Sequence, residues 1–240
     1  MNRRASLPGA DELFGSSSNW SQRVDRGEEP APNEGEQVDA RVLAGVRRLT
    51  AVENSALQAA RDAAGGTLHP PSPDVGALLR WAVDTTQAQT AVEIGAAGGV
   101  SGLWMLTALP ARGVLTSIEP DAHAHELASE AFRAARAGQR VRSIQGDPAT
   151  VLPRLSDHAY DLALLQADPV GYPEDLEHVR RLLRPGGMLI ARGVLRASEH
   201  IDELARFIQE LAEDPSFSTA VLPVDGGLAL ATRRPDRSDA

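Results

Sequence analysis

The sequence contains no cysteine and no lysine. Without cysteine there can be no disulfide, no thiolate metal site and no cysteine nucleophile. Without lysine no side-chain amine can act as a base or form a Schiff base; all 24 basic residues are arginine. Long apolar runs are missing too. None approaches the roughly 18 residues of a membrane span, so no membrane partner is expected. Arg3 and Arg4 stand near the start, but no apolar segment follows them as it would in a secretory leader. A cytoplasmic protein is the resulting expectation. Positive charge is also in deficit. The formal net charge is -9, which counts against nonspecific nucleic-acid binding, since that is driven by basic surfaces.

Hydrophobic residues make up 42% of the 240 residues, enough for the core of one ordinary domain. Residues 1–38 are rich in Ser, Gly, Pro, Asn and Glu. Such a segment buries too little apolar surface to offset its chain entropy, so a disordered tail is predicted there. Its Leu13, Phe14 and Trp20 are either a docking motif or a stray apolar trio. A folded domain is expected over 39–233 and a frayed tail over 234–240.

Thr90 to Glu119 organises the chain. Ala91–Ile94 reads as a buried parallel strand. Gly95, Gly98 and Gly99 follow, where the backbone must turn and a ligand can come close. Ser101 is predicted to cap a helix over Gly102–Leu109, whose free amides favour an anionic group. Val114–Ile118 is the next strand, ending on Glu119. An acid at that strand tip is placed to accept hydrogen bonds from two ribose hydroxyls. The spacing is G-x-x-G-G, not the dinucleotide G-x-G-x-x-G, so a nicotinamide dinucleotide is the weaker reading.

Helical spacing covers Val38–Ala64, closed by Gly65-Gly66, and resumes over Asp74–Val83 after the His69–Pro73 loop. Further on, helices are predicted over Asp121–Ala137, Ala149–Leu155, Glu174–Leu183 and Ile201–Leu211. Strands are predicted over Val141–Ile144, Tyr160–Leu165 and Met188–Ala191, the last preceded by an Arg184–Gly187 turn. Two closing strands, Phe217–Pro223 and Gly227–Thr232, flank an Asp225-Gly226 hairpin signal. His123 and His125 are two apart on a helix and point to different sides, so they are no metal pair. The alternation implies a parallel sheet covered on both faces, with ligands at the strand C-terminal ends.

V-E-I-G-A-A-G-G-V-S-G-L-W-M-L resembles the first motif of the class I S-adenosylmethionine-dependent O-methyltransferases. The closer match is the branch of catechol and caffeoyl-CoA O-methyltransferases and their bacterial relatives. It continues through L-T-S-I-E-P-D, I-Q-G-D-P-A, Y-D-L-A-L-L-Q-A-D-P and R-L-L-R-P-G-G-M-L-I-A, over about residues 40 to 232. The resemblance implies an α/β Rossmann-like methyltransferase fold over 39–233. Its sheet would have about seven strands, mostly parallel, with an antiparallel C-terminal hairpin and helices on both faces. The implied cofactor is S-adenosyl-L-methionine and the implied partner a small-molecule acceptor.

By the same resemblance the cofactor-binding residues are Pro71, Glu93, Gly95, Ala96, Ser101, Glu119, Pro148 and Asp168. Pro71 falls beside the methionine part, and Glu119 at the ribose. The turn of Asp147 and Pro148 falls beside the adenine, although Asp147 equally suits a helix cap. Asp168 falls at the amino group, or alternatively caps the next helix. The N-terminal helices either form a homodimer contact or simply pack on the sheet.

The family's divalent cation binds an aspartate ending strand four and an aspartate-asparagine pair ending strand five, with a lysine close by. Here Gln166, Arg192, Gly193 and Pro169 stand at those positions. Hard cations want several oxygen ligands, usually with carboxylates among them. No metal site is therefore expected. Arg192 either grips an anionic substrate or pairs with Asp168. No general base is assigned; His69, Tyr172 and His200 are candidates. The exchanged metal positions also allow a cofactor-binding protein without catalysis. Methylation of RNA is a third reading, against which the acidic balance counts.

Overall fold

The short apolar runs become strands and the segments with helical spacing pack around them. The computed structural model describes residues 40–196 and 201–235. The 1–38 tail with Leu13, Phe14 and Trp20, the candidate base His200, and residues 236–240 lie outside the described residues. By internal contacts the chain divides into residues 1–44 and 45–240. Of the first unit only the opening of helix α1 (Ala40–Thr50) is described.

The second unit contains α2 (Ser55–Ala64), α3 (Pro73–Thr86), β1 (Thr90–Ile94), α4 (Val100–Ala108), β2 (Val114–Glu119), α5 (Ala122–Ala134) and β3 (Val141–Gln145). After them come α6 (Pro148–Val151), β4 (Tyr160–Leu165), α7 (Tyr172–Leu182), β5 (Leu183–Arg192), α8 (Ile201–Glu213), β6 (Phe217–Leu222) and β7 (Leu228–Arg233). Seven strands form one sheet in the order β3-β2-β1-β4-β5-β7-β6. The first five pair in parallel; β7 runs antiparallel to both β5 and β6. This is the expected methyltransferase sheet with its antiparallel edge.

Strand alternation splits the core in two. Ala91, Leu162, Leu164 and Ile190 face a cluster with Leu79, Trp104 and Phe132 from α3, α4 and α5. Val92, Ile94, Ala163 and Leu165 face the opposite cluster, with Tyr172, Leu176 and Phe207 from α7 and α8. By the same period of two, Glu93 shares the face of Ala91 and is turned toward α4.

Two elements differ from their expected form. The Val38–Ala64 pattern is two helices, because Asn54 accepts from the Leu57 amide at 3.0 Å and starts α2 afresh. The Arg184–Gly187 turn is absorbed into β5: the β4–β5 register steps from Tyr160–Leu183 to Leu162–Met188, so the extra residues bulge out within one strand. Asp161, at the start of β4, pins this end of the sheet. Its Oδ2 accepts from the Gln89 and Thr90 amides at 2.6 and 2.8 Å, and its Oδ1 accepts from Arg184.

Candidate active site

The site begins where β1 ends. The Gly95 amide donates to the Ile118 carbonyl at 2.8 Å, tying the loop to the tip of β2. Gly95 has φ +87°, and a Cβ there would lie 2.8 Å from the Ala167 amide nitrogen. Only glycine lets the loop pass so close to the end of β4. Residues 95–99 are buried. Helix α4 starts at Val100, capped by Gly99 in the left-handed conformation without a side-chain bond.

Ser101 therefore does not cap the helix, contrary to expectation. It lies within the first turn and its Oγ donates to Glu93 Oε2 at 2.7 Å. The physical reason is the demand of Glu93. That carboxyl is fully buried on the α4 face, and a buried carboxyl without a donor is costly. Burial pushes Glu93 up to about 8; the hydroxyls of Ser101 and Ser117 pull it down and the charge of Glu119 adds to the rise. The Ser117 hydroxyl favours the charged form from across the ladder, yet Oε1 has no partner at hydrogen-bonding geometry.

Glu119 closes the loop from the β2 side. Its Oε2 accepts from the Ala96 amide at 2.7 Å and its Oε1 from the Asp121 amide at 3.1 Å. Glu93, Gly95, Ala96, Ser101 and Glu119 thus belong to one hydrogen-bonded group. The other three expected residues lie outside it. Pro71 is buried just before α3. Pro148 opens α6 behind Asp147, whose Oδ1 accepts from the Ala149 amide at 3.0 Å as a helix cap. Asp168 is exposed, and its Oδ1 accepts from the Val170 amide at 3.1 Å in the turn before α7.

A second group joins this loop to the tips of β4 and β5. Gln166 donates from Nε2 to Gly95 O at 2.7 Å and to Ser101 Oγ at 2.5 Å. Its Oε1 accepts from Arg192 Nη1 at 2.9 Å. Arg192 Nη2 meets Asp225 Oδ2 at 2.7 Å, and both terminal nitrogens lie 3.4 Å from the His69 carbonyl. The Arg192 side chain is 7% exposed, and its Nε is buried without an acceptor. Asp168 is not its partner; Asp225, from the β6–β7 turn, is.

These donors do not suit a divalent cation. The corner offers one amide oxygen already bonded to a guanidinium and one carboxylate already ion-paired. Among the described residues there is no group of three or more His, Asp or Glu that could hold a metal ion.

A cavity of about 170 Å³ opens over this corner, lined by His69, Gln166, Tyr172, Arg192 and Arg196 among others. Tyr172 is a poor base. Its hydroxyl donates to the Arg192 carbonyl at 2.9 Å, and burial pushes its ionisation well up against the opposing pull of the Arg192 charge. His69 is exposed at the cavity wall, with φ +44°. The sequence did not single out Asp225 as the Arg192 partner. Its sequence context reads as a hairpin turn, and nothing local announces a partner 33 residues away.

The O-methyltransferase family profile matches residues 57–234. A protein of Mycobacteroides abscessus, provisionally named an O-methyltransferase, is 37% identical over 177 residues, 68% of this chain and 81% of its own. A relative from Mycobacterium avium with the same name is 34% identical over 217 residues, covering 85% and 94%. Among solved structures, a provisional O-methyltransferase of Klebsiella pneumoniae superposes with a TM-score of 0.76 at 29% identity, over 81% of this chain and 97% of that one. TomG of Streptomyces achromogenes, an O-methyltransferase of tomaymycin synthesis solved with S-adenosylmethionine, gives 0.73 at 25% identity, over 81% and 96%. With the sheet order and the glycine loop, these matches place the chain in the class I S-adenosylmethionine-dependent O-methyltransferase family, to which it belongs.

Proposed function

We propose that this enzyme transfers the methyl group of S-adenosylmethionine to an oxygen of a small-molecule acceptor without a divalent cation. Methyl transfer from a sulfonium asks the protein mainly for alignment, because the cofactor is already activated. The observation that carries the reading is the continuity of the two groups above. The loop that would hold the cofactor and the corner that would hold the acceptor share Gln166, which bonds to Gly95, Ser101 and Arg192.

In this reading Glu119 takes the ribose hydroxyls, exchanging its Ala96 contact for them in part. Pro71, Pro148 and Asp168 complete the pocket around methionine, adenine and amino group. Arg192 stands as a fixed positive charge where the family's ion would sit, and a divalent cation beside it would be repelled. Of the candidate bases among the described residues, His69 is the one whose ring is available at the cavity.

Turnover over a panel of hydroxyl and carboxyl compounds, scored by S-adenosylhomocysteine formed, tests the proposal. Product formation that falls with Glu119→Ala supports it. Tight cofactor binding with no product from any acceptor would instead favour the non-catalytic reading. The apolar side chains of Val46, Leu49, Val52 and Trp81 are exposed. They support a homodimer contact through the N-terminal helices, which a mass measurement by light scattering decides.

A further inference from the structure

We infer that the acceptor carries a carboxylate, gripped by Arg192 and Arg196. The inference rests on the O-methyltransferase reading and names the acceptor class for its cavity. Electrostatics comes first. Among the described residues the lining includes two arginines and no carboxylate. Asp225 balances Arg192. Arg196 is exposed, and among the described residues no carboxylate is ion-paired with it at the wall.

Donor supply points the same way. Gln166 spends both Nε2 hydrogens on Gly95 and Ser101. Tyr172 spends its hydroxyl on the Arg192 carbonyl. Arg192 spends its terminal nitrogens on Gln166, Asp225 and His69. What remains unpaired in this buried group is the Arg192 Nε–H. A buried N–H without an acceptor is costly, and a ligand oxygen that reaches it removes that cost.

Arg196 is near enough to share such a ligand. Its guanidinium carbon lies 4.0 Å from where a Gly193 Cβ would be, directly after Arg192 in the chain. One N–H from Arg192 and the Arg196 fork, unpaired among the described residues, match the two oxygens of a carboxylate. A phosphate brings about two charges and three acceptor oxygens, more than one uncompensated guanidinium and one spare N–H answer.

The test is calorimetric titration of the S-adenosylhomocysteine-loaded protein with benzoate and with its neutral isostere benzamide. Benzoate should bind at least about tenfold more tightly than benzamide, through charge-assisted bonds. Arg196→Gln, a change at the exposed rim, should bring the two within about twofold to threefold while S-adenosylhomocysteine still binds. Inorganic phosphate should displace benzoate poorly. Equal binding of benzoate and benzamide, a preference that survives Arg196→Gln, or efficient displacement by phosphate each overturns the inference. Failure of S-adenosylhomocysteine to load in the first place would instead strike the enzyme assignment itself.

Discussion

Glu93 and Asp161 sit on neighbouring strands, and both are buried. Their environments treat them oppositely. Burial resists ionisation of Asp161, but the Arg184 guanidinium and the Thr90 and Gln89 amides outweigh it and hold the carboxyl below its usual range. Glu93 has no cation beside it and one oxygen without a partner, and burial pushes it up to about 8. The Asp161 end of the sheet is a finished clasp. The Glu93 end, with the unpaired Arg192 nitrogen nearby, has capacity left over. Unused polar capacity in a buried place supports the proposal that a ligand binds at this end of the sheet.

Breaking the clasp should have the largest effect. Asp161→Ala removes the ion pair and the two amide bonds and leaves Arg184 without its carboxylate. Denaturant unfolding should show a loss of about 2–4 kcal/mol, with the affinity for S-adenosylhomocysteine unchanged in the folded protein. Its pH dependence follows from a folded pKa below the unfolded one. The contribution is present above the unfolded pKa and is lost as pH falls through the folded pKa. Wild type should therefore shed this part of its stability in acid, and Asp161→Ala should not.

At the other end the expected loss is in binding rather than folding. Glu119→Ala should weaken S-adenosylhomocysteine by about 1–3 kcal/mol in calorimetry, through lost ribose hydrogen bonds. An unchanged affinity would place the ribose elsewhere.

Glu93→Gln sharpens the contrast by its sign. Here the folded pKa, about 8, stands above the ordinary glutamate value of 4.5. Between those values the folded state keeps a proton that the unfolded state has released, so this carboxyl costs more stability as pH rises. The glutamine variant should gain on wild type as pH rises from acid toward about 8, through the range in which only the unfolded carboxyl is ionised. A gain that shrinks with rising pH would show that Glu93 is stabilised in its charged form.

How much of this was legible depended on the distance over which each cause acts. The glycine loop, the apolar runs of β1 and β4 and the acid at Glu119 are set by neighbours in the chain, and the sequence patterns located them. Asn54 is a local cap too, yet the continuous apolar periodicity around it masked the break between α1 and α2. Ser101 was misjudged because the cap rule looks only at the helix start, while its hydroxyl answers a buried carboxyl on β1. The Arg184–Gly187 segment has turn composition, but pairing with β4 holds it in a strand. The Arg192–Asp225 pair was out of reach: sequence suggested an anionic partner, and only the fold brings the hairpin turn to the β5 tip.

The smallest expected effect is no effect, and it tests the central claim. Methyl transfer is measured once an acceptor is in hand, first in EDTA and then with added magnesium. The Gln166–Arg192–Asp225 corner predicts that S-adenosylhomocysteine forms at the same rate in both. Activity lost in EDTA and restored by magnesium or calcium would contradict the account, because it would mean that the arginine corner yields to a bound cation.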